Sequence, residues 1–555
     1  MKKAAKILLL LIASFTQAIS AEKPNVLLIC VDDLKPNIGS YGDPLARTPN
    51  IDRLAARSLL FEQAYCNQAV CSPSRNALLT SLRPQTLGIY ELATNFRKSR
   101  PDAITFPQYF KQNGYRTEGM GKIFHVGHGN NEDAVSWSVP HFKAKSIGYA
   151  LKENQAPTRE GALFENQSPA NLPKGAAYES ADVPDNAYGD GAIADEAVKR
   201  LEAAKQTPGT PFFLAVGFVK PHLPFCAPKK YWDMHDRSKF ELAKVANAPE
   251  GAPAFAPTSW GELRNYKNMP EKGPVDAETA RTLIHGYYAA TSYMDAQLGR
   301  VLDALDSTGL AANTIVVLWG DHGWHLGDHG MWCKHTNYEQ ATRIPLMIHA
   351  PGMKQGRRTG AFIESVDIYP TVADLAGLSV PQGLDGISQK SVINGLASHE
   401  RGHITHVYPR GNGLLGRAIR TDRYRMVEWK KIGENVSTAE YELYDYQADP
   451  LERKNIAADQ PQVMAELKAI LAGYPEAKPQ IKAATNPNEK NKAAAKSDRN
   501  AMFVRRDKDG DGKLSREEFL VNQPDPDEAP RRFVKFDTNT DGFLSQAEFV
   551  NQGRN

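Results

Sequence analysis

Three apolar runs in this chain each stop on charged or metal-binding residues, and that pattern limits the fold more than any other feature. Val26–Val31 leads into Asp32-Asp33, Phe212–Val219 into Lys220-Pro221-His222, and Thr314–Trp319 into Gly320-Asp321-His322. With Pro345–Ala350, these runs read as buried strands. They alternate with amphipathic segments, the pattern of an α/β domain with a mainly parallel sheet sandwiched by helices. Thr48-Pro49 followed by Ile51, Leu54 and Ala55 reads as a capped helix, and Asp367 to Leu378 as another. Open sheets of this class bind ligands at the carboxyl ends of their strands. One strand ending on such residues would be unremarkable, but three argue for a shared site.

Composition agrees with a large globular protein of more than one domain: 555 residues, 41% hydrophobic and 24% charged. Residues 1–20 read as a signal peptide. Lys2, Lys3 and Lys6 form its basic region, Ile7 to Phe15 its apolar run, and Ala18-Ile19-Ser20 its cleavage site. The run is too short to span a bilayer, so the expectation is an exported protein, periplasmic or secreted, that does not span the membrane. Those three lysines account for the formal charge of +3, and a neutral remainder carries no nucleic-acid footprint.

Residues 21–380 are expected to form the main α/β domain. Arg417–Tyr424 and Tyr441–Asp445 point to a smaller antiparallel subdomain over 381–474. Residues 475–496, rich in Ala, Lys, Asn and Pro, read as a flexible linker. Residues 497–555 read as an all-α EF-hand pair. In a twelve-residue calcium loop, oxygen ligands stand at positions one, three and five, a backbone carbonyl at seven and a Glu at twelve. Asp507, Asp509, Asp511, Lys513 and Glu518 fit that spacing, as do Asp537, Asn539, Asp541, Phe543 and Glu548. Leu514 and Leu544 fill the apolar eighth positions through which two loops pair.

The pentapeptide Cys71-Ser72-Pro73-Ser74-Arg75 opens an expected helix, with Ala77, Leu78, Leu79 and Leu82 behind it. A side chain there faces free backbone N–H groups and the positive end of the helix dipole, a setting for an anionic reaction centre. Pro73 suits the first turn, where a missing N–H costs nothing. The five cysteines are an odd number, which flags one modified or reactive thiol. Cys30 lies within a strand and reads as an inert core thiol; pairing among Cys66, Cys226 and Cys333 is open. The adjacent carboxylates Asp32 and Asp33 repel unless a cation intervenes, and oxygen-rich ligands favour Ca²⁺ or Mg²⁺.

The pentapeptide, with Leu79-Thr80-Ser81-Leu82-Arg83-Pro84 after it, resembles the C-x-P-x-R signature of the sulfatases. The resemblance runs from about Pro24 to about Ala457. It is carried also by Asn25–Leu34, Gly121-Lys122-Ile123-Phe124-His125, Lys220–Phe225 and Gly320-Asp321-His322-Gly323-Trp324, and it looks most like the iduronate-2-sulfatase branch. It implies an alkaline-phosphatase/sulfatase-like fold and a Cys71 oxidised to formylglycine by a maturase. It also implies Ca²⁺ held by Asp32, Asp33, the modified Cys71, Asp321 and His322. Lys122 and Lys334 match lysines that stabilise the sulfuryl oxygens. Arg75 would hold the hydrated aldehyde, His125 would take a proton from its second hydroxyl, and His222 would protonate the departing sugar oxygen. The implied reaction passes through a covalent sulfo-enzyme ester that breaks down by elimination.

Trp324 and Trp332 match tryptophans of that branch and read either as a sugar platform or as core. The remaining histidines, among them His128, His141, His325, His329 and His335, read as structural. The expected activity is hydrolysis of carbohydrate sulfate esters, with the 2-O-sulfate of iduronate or a related uronic acid favoured. Two alternatives stand beside it: a phosphate or phosphonate ester hydrolase of the same superfamily, and an inactive Ca²⁺-binding surface module.

Overall fold

A computed structural model describes residues 23–144, 148–353, 355–481, 499–500, 502–521 and 529–552. The expected signal peptide and most of the expected linker lie outside the described residues. The chain divides into two compact units, Met1–Ile481 and Lys482–Asn555.

The larger unit is built on a seven-stranded sheet of β1 (Asn25–Val31), β2 (Leu59–Tyr65), β3 (Arg116–Gly121), β4 (Phe212–Phe218), β5 (Thr314–Gly320), β6 (Leu346–His349) and β7 (Arg357–Glu364). Their spatial order is β7-β2-β6-β5-β1-β4-β3. All neighbours pair in parallel except β6, which runs antiparallel to both β5 and β2. The three strands singled out from the sequence, β5, β1 and β4, are therefore adjacent and parallel, and their charged ends meet at one edge of the sheet.

Strand periodicity sorts the apolar residues into two cores, one on each face. Val26, Leu28, Cys30, Phe213, Ala215, Ile315, Val317 and Trp319 face one side. There they meet Leu78 and Leu79 of α2 (Cys71–Thr80) and Ile368 and Val372 of a later helix. Leu27, Ile29, Val31, Leu214, Val216, Val316 and Leu318 face the other. Their partners are Ile51 and Leu54 of α1 (Pro49–Ala55) and Leu298, Val301 and Leu302 of the long helix Ala277–Ser307. Strands buried on both faces need continuous apolar runs, which is why the sequence shows runs there.

The antiparallel subdomain expected around Arg417–Tyr424 and Tyr441–Asp445 is present, with a hairpin turn inside the first segment, and one helix boundary differs from expectation. β9 (Leu414–Arg420) turns at Thr421 into β10 (Tyr424–Lys431), and together with β8 (Ile404–Pro409) and β11 (Glu440–Asp445) they form a four-stranded antiparallel sheet. Thr421 Oγ1 accepts from the Tyr424 N–H and so closes that turn. The helix expected over Asp367 to Leu378 is α-helical only over Ile368–Leu375, preceded by a 3₁₀ turn at Ser365–Asp367.

In the smaller unit, Lys513–Ser515 and Phe543–Ser545 pair as short antiparallel strands with Leu514 opposite Leu544. Both leucines are fully buried among Phe503, Phe519, Phe533, Phe536 and Phe549. Gly512 and Gly542, at the sixth loop position, sit at φ 81° and 83°, which glycine adopts at no steric cost.

Gly217 of β4 lies against the backbone of Lys122, and a Cβ added there would collide with it. Gly217→Ala is therefore expected to destabilise the protein by about 1–3 kcal/mol, as overpacking does. Chemical denaturation measures it, and an unchanged midpoint would contradict this close approach.

Candidate active site

The carboxyl ends of β1, β4 and β5 and the N-terminus of α2 converge. Asp32 and Asp33 follow β1. The Asp32 N–H donates to the Phe218 carbonyl (3.1 Å) and the Asp321 N–H to the Val31 carbonyl (3.1 Å), so each side chain leaves a strand end locked to its neighbour. Asp33 holds φ 59°, a left-handed conformation uncommon outside glycine, and its N–H donates to Asp321 Oδ1 at 2.9 Å. Cys71 is the first residue of α2, whose N-cap Val70 offers no side-chain cap. The Cys71 Sγ lies 3.4 Å from His322 Nε2 and 3.6 Å from Lys122 Nζ.

Arg75 is the hinge of this arrangement. It is fully buried, with Nη2 on Asp32 Oδ1 at 2.9 Å and Nε on Asp321 Oδ2 at 3.1 Å. Nη1 donates to the carbonyls of Lys122 and Ile123. Most of its fork is thus spent on two carboxylates and on the Lys122 backbone. Lys122 also pairs with Asp32 Oδ2, and Lys334 Nζ lies 3.1 Å from Asp33 Oδ2. Lys122 and His125 lie in an irregular loop after β3, not on a helical turn.

Electrostatics follow from three carboxylates buried together. Burial opposes ionisation of Asp32, but Lys122 and Arg75 outweigh it and hold the carboxyl well below its usual range. Burial drives Asp33 well above that range despite Lys334, with Asp32 adding to the rise. Burial and Asp32 push Asp321 up to about 7. His322 stays neutral, because burial and Lys334 lower it well below the usual imidazole value. Its Nδ1 faces only the Gly323 carbonyl (3.0 Å) and so carries the proton. The Nε2 lone pair then faces Asp33 Oδ1 at 3.2 Å and Asp321 Oδ1 at 3.6 Å. Acceptors facing acceptors call for a cation: Asp32, Asp33, Cys71 and His222 offer ligand atoms within 4.8 Å of one another, and so do Cys71, Asp321 and His322. Cys71 itself is held as a thiol, since burial and Asp32 raise it well above its usual value. In that form it is a poor nucleophile.

His222 and His125 flank this centre. His222 Nδ1 donates to the Leu223 carbonyl, and burial with Lys334 and Lys122 lowers its pKa to about 3. The expectation that it titrates near neutrality does not hold in this setting. His125 is neutral too, lowered by burial and Lys122, and its Nε2 lies 3.3 Å from His128 Nδ1. Trp324 and Trp332, which read either as a sugar platform or as core, are 1% and 4% exposed within an apolar cluster. Trp324 lies beneath Lys334, whose Nζ is 4.8 Å from the ring centroid.

Three residues at the site carry no sequence signal. Glu262 bonds Lys334 Nζ at 2.8 Å, His335 bonds Glu262 at 3.1 Å, and Phe164 packs edge-on against His222. None belongs to a motif, and only the tertiary fold brings them in. A cavity of about 670 Å³ opens beside Lys122 and His222 and is also lined by Glu160, Phe164, Lys143 and Tyr149. In the smaller unit, the Asp507, Asp509 and Asp511 carboxylates lie within 4.8 Å of one another. Glu518 and Glu548 turn back to accept from the backbone N–H groups of Lys508 and Thr538. All five cysteines are free and buried.

The fold is an α/β architecture of the alkaline-phosphatase-like class. A family model described as Sulfatase matches residues 24–378, and one for the C-terminal part of N-sulphoglucosamine sulphohydrolase matches 327–475. An EF hand model matches 500–520 and 531–551. The chain is 38% identical to iduronate 2-sulfatase of Homo sapiens over 408 residues, 67% of this chain and 72% of that one. It is 32% identical to a sulfatase of Formosa agariphila over 455 residues, 79% of this chain and 83% of that one. A solved structure bound to its substrate D-glucosamine-2-N,6-O-disulfate has TM-score 0.65 at 23% identity, covering 81% of this chain and 97% of that one. A structure described as a 2-O GAG sulfatase has TM-score 0.59 at 22% identity, covering 82% and 92%. The chain belongs to the sulfatase family of sulfuric ester hydrolases. That family is formylglycine- and metal-dependent, and within it this chain is iduronate 2-sulfatase-like.

Removing one partner from a buried ion cluster leaves the others uncompensated. Arg75→Met is expected to cost about 3–5 kcal/mol of stability on that ground. Arg75→Lys keeps the charge but cannot bridge Asp32 and Asp321 together, so it should recover only part of the loss. Urea denaturation of the two variants tests this, and a stability for Arg75→Met equal to the parent would refute it.

Proposed function

We propose that the protein is an exported, Ca²⁺-dependent sulfatase acting on the 2-O-sulfate of iduronate or a related uronic acid in a sulfated polysaccharide, with a formylglycine made from Cys71 by a maturase. The observation that carries this reading is the position of the Cys71 side chain. It stands at a helix N-terminus among Asp32, Asp33, Asp321, His322 and Lys122. A cation held by these donors would draw charge from the sulfuryl oxygens. The narrower substrate assignment is supported by the names of relatives, an iduronate 2-sulfatase and a 2-O GAG sulfatase.

The chain's own residues have defined tasks in this reading. Arg75 and Lys122 fix the carboxylates around residue 71. Lys122 and Lys334 present two ammonium groups to the sulfate, matched to charge that grows as the ester breaks. His222 gives Nδ1–H to the Leu223 carbonyl, so Nε2 faces the departing sugar oxygen. Burial and the two lysines depress this histidine, and a sulfate lodged between the lysines would offset their part and so favour a proton on Nε2. His125, neutral and buried, takes a proton in the second half-reaction. The cavity beside Lys122 and His222 has the volume for a sugar and its neighbour. Among the described residues no helix is long and apolar enough to cross a membrane, and the leader at 1–20 supports export. The EF-hand loops at 507–518 and 537–548 hold two further Ca²⁺ ions in a structural or adhesive module. The linker to the catalytic domain of 21–380 with its subdomain 381–474 starts later than the 475 expected from sequence, because Glu476, Lys478, Gln480 and Ile481 bond Lys430, Gln85, Tyr90 and Gly88 of the larger unit.

Mass spectrometry of the tryptic peptide containing Cys71, from protein co-expressed with a maturase, is expected to show a loss of about 18 Da as thiol becomes aldehyde. Turnover of a 2-O-sulfated uronic acid should exceed that of the matching phosphate ester, and Cys71→Ala should abolish it with the fold intact. Faster phosphate hydrolysis would instead favour the phosphoester reading. Unchanged turnover in Cys71→Ala would overturn the assignment of the nucleophile.

Deleting residues 497–555 is expected to leave kcat on a small sulfate ester within about twofold, because the catalytic set lies wholly within the larger unit. A large fall in the folded truncation would contradict a purely structural module.

A further inference from the structure

Lys334 is the one lysine at the site whose placement the backbone alone does not explain. A lysine carries its charge on a flexible four-carbon stem, so a fixed ammonium needs partners on more than one side. On one side Lys334 Nζ meets both oxygens of Asp33, at 3.2 and 3.1 Å. That partner alone anchors the ammonium from one side only. On the other side Glu262 Oε1 takes it at 2.8 Å, and the Trp324 ring lies beneath. The ammonium is suspended between two carboxylates.

Glu262 is itself held. Its Oε2 lies 3.1 Å from His335 Nε2, and His335 Nδ1 lies 2.7 Å from the Tyr408 hydroxyl. A carboxylate only accepts, so His335 donates from Nε2 and Tyr408 donates to Nδ1. Tyr408 belongs to β8, in the antiparallel sheet. The chain also bends sharply at this point. Cys333 and His335, on either side of Lys334, sit at φ 68° and 70°, and the His335 N–H is tied to the Ala69 carbonyl just before Cys71. Non-glycine residues persist in that region only where their surroundings over-determine them, and such strain collects at functional sites. Glu262 Oε1 also lies 3.4 Å from His222 Nε2.

We propose that Glu262, braced by His335 and Tyr408, is a positioning residue for catalysis. It shares the Lys334 ammonium with Asp33 and so fixes that charge between two carboxylates, above the Trp324 ring and beside His222. The role rests on the sulfatase reading of this site, and the chemistry it serves is that of an anionic ester. Because it acts through Lys334, its loss should fall on the chemical step rather than on substrate binding.

Glu262→Gln keeps the shape and removes the charge. On the matured full-length protein and a small sulfate ester, kcat is expected to fall by about 10- to 100-fold with KM changed less than about threefold, the scale of a misplaced catalytic group. Glu262→Asp should restore part of kcat, and Tyr408→Phe, which deletes one hydroxyl, should lower it in the same direction by less. Melting temperature and circular dichroism identify any loss that is only structural. A kcat within about twofold of the parent for Glu262→Gln would overturn the proposal. So would a loss carried mainly by KM, which would make Glu262 a substrate ligand. Crystal structures of the parent and Glu262→Gln give a readout independent of turnover. The Lys334 Nζ is expected to leave residue 262 in the variant while keeping its contact with Asp33, and an Nζ unmoved from its place between the two overturns the proposal whatever the substrate. Absence of sulfate-ester turnover in the matured parent would instead count against the sulfatase reading, leaving the crystallographic comparison to decide the role of Glu262.

Discussion

Three carboxylates from two strand ends lie buried within one small volume, and Arg75 is what makes that tolerable. Its guanidinium bridges Asp32 and Asp321 and at the same time ties the Lys122 backbone to the group. Helix α2 is placed by the same contact, since Arg75 is one turn from Cys71. Coulomb attraction at this depth is strong, but so is the desolvation cost, and the cluster is favourable only because nearly every donor meets an acceptor. The ends of β1 and β5, the start of α2 and the loop after β3 are thus coupled through one side chain. The site is rigid for reasons of charge as much as of packing.

Much of this was legible in the sequence because it is local. An apolar run that stops on Asp32-Asp33, or on Gly320-Asp321-His322, records both a strand buried on two faces and the chemistry at its end. Cys71-Ser72-Pro73-Ser74-Arg75 records a helix start, since Pro73 and the apolar spacing behind it are properties of neighbouring residues. Leu514 and Leu544 announced their pairing through loop position alone. What escaped was the part that depends on distant contacts. Glu262 is one carboxylate on the short helix Gly261–Arg264, and nothing near it signals Lys334. The ordinary titration expected of His222 failed for the same reason: its environment is set by Lys122 and Lys334, neither of which is its neighbour in sequence. The antiparallel direction of β6 and the turn at Thr421 are likewise set by pairing partners, and apolar content does not record direction.

The tryptophans show how one residue type can serve both readings offered for it. Trp324 is buried as core residues are, yet its ring face carries the ammonium of Lys334. A cation over an indole is stabilised without a counter-charge, so the ring supports Lys334 without neutralising it. Packing and electrostatics use different surfaces of one side chain, and a sequence pattern does not separate them.

The topology gives the site a history. β1 is the first strand to be made, and it is flanked in the finished sheet by β4 and β5, residues 212–218 and 314–320. Contacts so far apart in the chain form late and slowly. Until β5 arrives, Asp32 and Asp33 have no Asp321 or His322 beside them, and β1 lacks one of its two strand neighbours. The donor set is therefore complete only once β5 lies beside β1, and a chain that stops before residue 321 lacks both Asp321 and His322.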